Sequence, residues 1–324
     1  MKNEFLLKDI IWEFTSKCNK KCKFCGSKEI VNDKHCLSYE QVNLILDEIL
    51  NIDTLEYLTI TGGEPATDEM LVMIVREIIL RKPDLKIRIL TNGLFFSKPD
   101  CKELFNTSDI GVGVSINCVE DFNNVEKLIE DLDKNRITMI TNFGYHNFKD
   151  FLYLYEISKK FGLWQVQLTI DDELQLMTND KLTLKNMFTL VDNSHIVFAD
   201  NFNTRNKCTA GKTSCSITYL GEVIPCLSYR SWRKTLDKQG VISKKGDLLN
   251  IWNTMFKKYR SACDNCISCK DVVDLDKLVE SDKATQKYIP NYNPIDNEKL
   301  YPSPFNQDMV VSVYSARIKN DFNN

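Results

Sequence analysis

The chain has 324 residues, 43% of them hydrophobic and 27% charged, the composition of a folded protein with room for one large domain or two, not of a disordered one. Its 42 basic and 45 acidic residues leave a net charge of −3, so no broad cationic field exists to hold nucleic acid or anionic lipid. The most apolar run, Leu71 to Leu80, is broken by Arg76 and Glu77 and falls far short of the roughly 20 apolar residues of a membrane span.

The amino terminus, MKNEFLLKDI, has acidic residues where a signal peptide keeps an unbroken apolar core, which points to the cytoplasm. In that reducing compartment the twelve cysteines read as metal ligands or redox groups, not disulfides. Ile10 to Thr15 reads as the first strand, and Cys18-Asn-Lys-Lys-Cys22-Lys-Phe-Cys25 follows it directly. A helix over Tyr39 to Leu50 comes next, with Val42, Ile45, Leu46 and Ile49 on one face and Ser38 as N-cap. Tyr57 to Thr61 is the second strand, followed by Gly62-Gly63-Glu64-Pro65 and a helix over Glu69 to Leu80. Strands over Lys86 to Thr91, Ile110 to Ile116, Ile137 to Thr141 and Gln165 to Ile170 alternate with helical spacing at Val125 to Leu132 and Phe148 to Phe161. Six strand-then-helix repeats imply a parallel α/β sheet, flat or curled into a partial (β/α)6 TIM-like barrel.

In such folds the reactive groups gather where strands end, because the loops leaving the carboxyl edge converge on one mouth. Here the three cysteines follow strand one, Gly62 to Pro65 follow strand two, and Asn92-Gly93 follow strand three. Ser115 and Asn117 end strand four, Asn142 follows strand five, and Asp171-Asp172 follow strand six. A C-x3-C-x2-C loop presents three thiolates to one inorganic centre; by spacing alone it also suits a zinc knuckle. Of the remaining cysteines, Cys36 and Cys101 read as small buried hydrophobes. Cys118, just past strand four, is a candidate hydrogen-atom donor. His35, His146 and His195 share no metal-ligand spacing, and His146 reads as a solvated loop histidine.

A second cysteine-rich stretch starts near residue 200. Ile217 to Ile224 has the alternation and central glycine of a β-hairpin, which would pair Cys208 with Cys226. Leu248 to Tyr259 reads as a helix leading to Cys263-Asp-Asn-Cys266-Ile-Ser-Cys269. Two such pairs suit a zinc ribbon as well as an iron-sulfur cluster. The expected divisions are 1–200 for the barrel, 201–275 for the cysteine-rich extension and 276–324 for a Pro-, Asn- and Tyr-containing tail acting as a wrap or lid.

The cysteine loop after strand one, with its aromatic Phe24, together with the Gly-Gly-Glu-Pro turn after strand two, strongly resembles radical S-adenosylmethionine (SAM) enzymes. The later order, C-x12-G-x4-C hairpin, helix, C-x2-C, resembles the auxiliary-cluster extension called SPASM, or its shortened form, twitch. The resemblance implies that Cys18, Cys22 and Cys25 hold a SAM-binding 4Fe-4S cluster. It implies Phe24 beside the adenine, Gly62, Gly63 and Glu64 at the methionine ammonium group, and Ser115, Asn117 and Asn142 as ribose and carboxylate contacts. Asn92 is a further contact or the first residue of a tight turn, and the strand-end polar residues serve equally as caps. The ligands implied for an auxiliary 4Fe-4S cluster are Cys208, Cys226, Cys263 and Cys266, with Cys215 and Cys269 as alternates. The implied activity is reductive SAM cleavage followed by hydrogen abstraction from a substrate carbon. Its first-ranked outcome is peptide crosslinking or epimerisation, and its second is dehydrogenation or rearrangement of a sugar or nucleotide. A non-enzymatic metal-binding scaffold is the third alternative. The resemblance also implies an electron donor such as flavodoxin or ferredoxin. With 17 residues ahead of Cys18, a peptide substrate would call for a separate recognition protein or for recognition by the tail.

Overall fold

Strand β1 (Asp9–Thr15) is buried at every position, as befits a parallel strand covered on both faces. The computed structural model describes residues 6–28, 30–33, 35–169, 173–198, 209–227 and 240–254. On one side of β1 lie β2 (Tyr57–Gly62), β3 (Lys86–Thr91), β4 (Gly111–Ser115), β5 (Ile137–Phe143), β6 (Leu163–Leu168) and β7 (Ile196–Phe198), each parallel to its neighbour. On its other side lie β8 (Ser214–Ile217), parallel to β1, and β9 (Val223–Ile224), antiparallel to β8. The α/β parallel sheet expected from the sequence is present, with the six expected strands at or within two residues of their expected ends. The boundary expected near residue 200 does not interrupt it, because the β8–β9 hairpin continues the same sheet past β1.

Local chemistry explains the helices. In α1 (Tyr39–Leu50), Ser38 Oγ accepts the Gln41 N–H at 3.3 Å and Gln41 Oε1 accepts the Ser38 N–H at 2.9 Å, a reciprocal cap that satisfies two backbone donors. α2 (Leu71–Arg81) buries Leu71, Ile74, Val75 and Ile78 against the sheet. Two helices between β3 and β4, α3 (Leu94–Ser97) and α4 (Pro99–Thr107), were not expected; Pro99 opens α4 where its missing N–H costs nothing. The helix expected over Val125 to Leu132 is instead α5 (Val119–Val125), continued by a tight 3-10 turn at Glu126–Leu128. Acidic Glu120 and Asp121 sit in its first turn, where the helix dipole favours them. The apolar stripe read from sequence is real, since Phe122, Val125, Ile129 and Leu132 are all buried, but helix occupies only its first half. α6 (Phe151–Ser158) is shorter than expected, and α7 (Thr178–Thr189) adds a helix before β7.

An aromatic cluster ties this end together. Phe143 on β5, Phe151 on α6 and Phe188 on α7 lie within 6.3 Å of the Trp164 ring of β6, and each such pair contributes about 0.5–1.5 kcal/mol beyond its buried area. Helix α8, residues 247–254, is tied to α1: buried Glu48 accepts the N–H groups of Gly246 at 2.7 Å and Leu248 at 2.9 Å. No helix among the described residues is long and apolar enough to cross a membrane. Asp171, Asp172, Cys208, Cys263, Cys266, Cys269 and the 276–324 tail lie outside the described residues.

Candidate active site

The loops at the carboxyl edge of the sheet enclose a cavity of about 190 Å³. Cys18, Cys22, Phe24 and Cys25 line it from the loop after β1, Gly62 and Gly63 from the end of β2, and Asn92 from the end of β3. Ser115 and Asn117 line it from the end of β4 and Asn142 from β5. The sequence-predicted contacts from five successive strand ends thus meet at one opening.

Two of the backbone turns are held by close approach. Gly63 N–H donates to Thr15 O and Glu64 N–H to Lys17 O, both at 2.7 Å. A Cβ on Gly62 would lie 2.2 Å from Thr15 O, and one on Gly63 the same distance from Lys17 O. Only glycines let β2 end against the cysteine loop this way. Behind the wall sits Glu64, fully buried. Its Oε1 accepts the Thr91 hydroxyl at 2.8 Å and the Ala66 N–H at 3.2 Å, and its Oε2 accepts the Asn92 N–H at 2.6 Å. Burial pushes its carboxyl up, and the hydrogen bonds from Asn92, Thr91 and Ala66 pull the other way. Glu64 stands behind the lining residues and, through the Asn92 N–H, braces the end of β3.

Asn92 Nδ2 in turn donates to Asn19 Oδ1 at 2.8 Å and approaches Cys18 Sγ at 3.7 Å. Across the opening, Asn117 Oδ1 accepts the Asn142 N–H at 2.8 Å, and Gln167 Nε2 donates to Asn142 Oδ1. Phe24 stacks on His146 with ring centroids 4.4 Å apart and planes 8° from parallel. His146 is therefore half of a flat aromatic pair rather than a solvated loop residue, and burial lowers its pKa. Residues that the sequence reading passed over complete the wall: Lys20, Asp121, Gln165 and Gln167. Lys20 Nζ pairs with Asp121 Oδ1 at 2.9 Å, and Asp121 Oδ2 accepts the Asn117 N–H at 3.0 Å. This chain of contacts latches the cysteine loop to the start of α5. Nothing in the sequence tells that Lys20 and Asp121, 101 residues apart, meet.

Cys18, Cys22 and Cys25 are half-buried. Burial raises the Cys18 and Cys22 thiols, and the neighbouring Cys25 raises Cys22 further. Among the described residues, no three His, Cys, Asp or Glu side chains are gathered tightly enough to hold a single metal ion. The thiols line a wall instead of enclosing a point. An all-thiol set of three in one short loop fits a multi-iron cluster.

The other cysteines divide. Cys118 is exposed, ahead of the first turn of α5 and outside the cavity wall. Cys36 is exposed as well, and Cys101 alone of that group is buried as expected. Cys215 on β8 is fully buried in the apolar core in register with Ile10, and burial drives its pKa far up. Cys226 follows β9, whose Ile224 packs with Leu227 against Ile11 of β1.

Residues 12–171 match the Radical SAM superfamily, and residues 208–270 match SPASM, an iron-sulfur cluster-binding domain. The GTP 3′,8-cyclase of Staphylococcus epidermidis is 27% identical over 145 residues, 43% of this chain and 42% of that protein. The protein of the same name from Campylobacter jejuni is 28% identical over 109 residues, 33% of each chain. The chain thus spans less than half the length of these curated relatives. Among solved structures, Streptococcus suis SuiB bound to precursor peptide SuiA aligns with TM-score 0.62 at 16% identity, over 82% of this chain and 71% of that one. Native anSMEcpe with bound AdoMet and Cp18Cys peptide gives 0.58 at 16%, over 80% and 86%. BtrN in complex with AdoMet and 2-DOIA gives 0.51 at 17%, over 82% and 92%. At such identities the likeness is one of fold, a parallel sheet curled as a partial barrel. With both segments matched in order, the chain belongs to the radical SAM superfamily, enzymes that use SAM and a 4Fe-4S cluster, and it carries a SPASM-type auxiliary-cluster segment.

Proposed function

We propose that this enzyme modifies a peptide, by crosslinking or epimerisation. The observation that carries the reading is the cavity at the carboxyl edge, where three thiols, a Gly-Gly turn and a ring of Asn and Ser side chains share one opening. When bound, the reduced cluster and SAM supply a 5′-deoxyadenosyl radical able to take hydrogen from an unactivated carbon. The chain's own residues bind, orient and shield. Cys18, Cys22 and Cys25 hold the cluster; Asn92, Ser115, Asn117 and Asn142 hold the polar groups of SAM; the Phe24–His146 pair offers its flat face to the adenine. Glu64 keeps Asn92 in position, and the Lys20–Asp121 pair keeps the loop closed. Cys208, Cys226, Cys263 and Cys266, in the 201–275 segment, would hold an auxiliary cluster, which would supply an electron acceptor for crosslinking. A flavodoxin- or ferredoxin-like protein delivers the reducing electron, and a separate protein presents the peptide. The fold shared with SuiB and anSMEcpe, both captured with peptides, supports a peptide substrate.

The test is incubation of the reconstituted enzyme, SAM and reductant with the short peptides encoded beside its gene, read by mass spectrometry in deuterated and ordinary water. Loss of a hydrogen pair from a peptide supports crosslinking, and solvent deuterium at an α-carbon supports epimerisation. Turnover of a sugar or nucleotide with every peptide untouched would overturn the reading. That second reading, a small-molecule substrate, is favoured by one observation, the identity with GTP 3′,8-cyclases over the barrel half.

A further inference from the structure

Strand β3 reads Lys86-Ile-Arg-Ile-Leu-Thr91, and its alternation sets Arg88 and Leu90 on the face opposite Ile87 and Ile89. That face is the barrel interior, since Leu90 lines the cavity. Arg88 sits one pleat deeper and is only 5% exposed. Its side chain passes over β4 and β5 to reach β6, where Nη1 donates to Gln165 Oε1 at 2.9 Å. The passage depends on β4, whose Gly111 and Gly113 present no side chain to the interior. A Cβ on Gly113 would meet Ile140 at 2.6 Å, Leu90 at 2.7 Å and Arg88 Nη2 at 3.0 Å. Leu90, Ile140 and Gln165 all line the cavity, and the guanidinium lies directly beneath them, bonded to Gln165.

Among the described residues, Arg88 Nε and Nη2 have no hydrogen-bond partner. Burial lowers the Arg88 pKa to about 10, with Asp9 on β1 working against that fall, so the group is charged at neutral pH. A buried cation with two idle donors is costly and calls for an explanation. The two idle nitrogens supply it: Nε–H and Nη2–H run parallel along one edge of the guanidinium plane, the edge that grips an oxyanion bidentately. Gln165 occupies only the other end.

We propose that Arg88, steadied by Gln165, anchors a carboxylate or phosphoryl group of the substrate at the cavity floor, below the thiol and asparagine wall. Anchoring there selects substrates with an anionic end and fixes which carbon faces the reactive opening. The proposal rests on the radical reading of the same cavity. A peptide would supply the oxyanion as a carboxylate, a nucleotide as a phosphoryl group.

The test is the thermal midpoint of the anaerobically reconstituted holoenzyme with acetate and, separately, with inorganic phosphate, each against chloride at equal ionic strength. Saturating anion should raise the wild-type midpoint on the order of 3 °C. A shift with acetate assigns a carboxylate, and one with phosphate a phosphoryl group. Arg88→Gln should abolish the shift. Should that variant fail to fold, Gln165→Glu serves instead: it sets a carboxylate at Nη1 that neutralises the cation, so its midpoint should rise without added anion and its anion response should shrink. No wild-type shift with either anion, or an undiminished shift in Gln165→Glu, overturns the proposal. Wild-type 5′-deoxyadenosine formation is measured in parallel, so that its absence counts against the radical reading alone and absence of the anion shift against Arg88 alone.

Discussion

Both oxygens of Glu64 are occupied by donors from Thr91, Ala66 and Asn92, which makes its substitution informative. Glu64→Gln keeps the shape but turns an NH2 group toward one of those donors, leaving a buried donor unsatisfied. It should lower stability by about 1–3 kcal/mol and, because Asn92 is displaced, weaken SAM binding roughly tenfold, a factor worth about 1.4 kcal/mol. Thermal melting and calorimetric titration with SAM check this; unchanged stability would show that the network carries no weight. The thiols, the glycines and the polar strand ends were legible in the sequence because their chemistry lies in residue type and in position after a strand. Lys20, Asp121, Arg88 and the His146 stack were not, because each acquires its role from a partner on a distant element.

At the scale of elements, α1 was readable to the residue, since its apolar spacing and its Ser38–Gln41 cap agree. β7 has only three residues, too few for an alternation to register. α7 mixes polar and apolar positions without a clean stripe, so neither announced itself. One contact joining the two halves of the chain was also hidden: Glu48 looks like an ordinary polar residue of α1, yet it caps α8 from 198 residues away. Glu48→Ala should leave the Gly246 and Leu248 N–H groups without their acceptor and cost about 1–3 kcal/mol. Hydrogen exchange at residues 246–248 should accelerate while exchange in β2 to β5 holds. Equal protection in the variant would mean that α8 is fixed by its packing alone.

Over the described residues, one continuous sheet carries the strands of the Radical SAM match and the β8–β9 hairpin that opens the SPASM match. The barrel was legible because six strand–helix repeats constrain a parallel sheet tightly. The docking of β8 against β1 was not, since no local pattern records which sheet edge a later hairpin will join. Three barrel cysteines and four in the extension predict about eight irons per reconstituted chain. About four would remove the auxiliary cluster, and about twelve would require a second one. The central claim, that Cys18, Cys22 and Cys25 form the SAM-cleaving centre, is tested most directly by 5′-deoxyadenosine formation. Wild-type enzyme with SAM and dithionite should release it, and the triple Cys18→Ala, Cys22→Ala, Cys25→Ala variant, still holding about four irons, should release none; cleavage persisting in that variant would contradict the account.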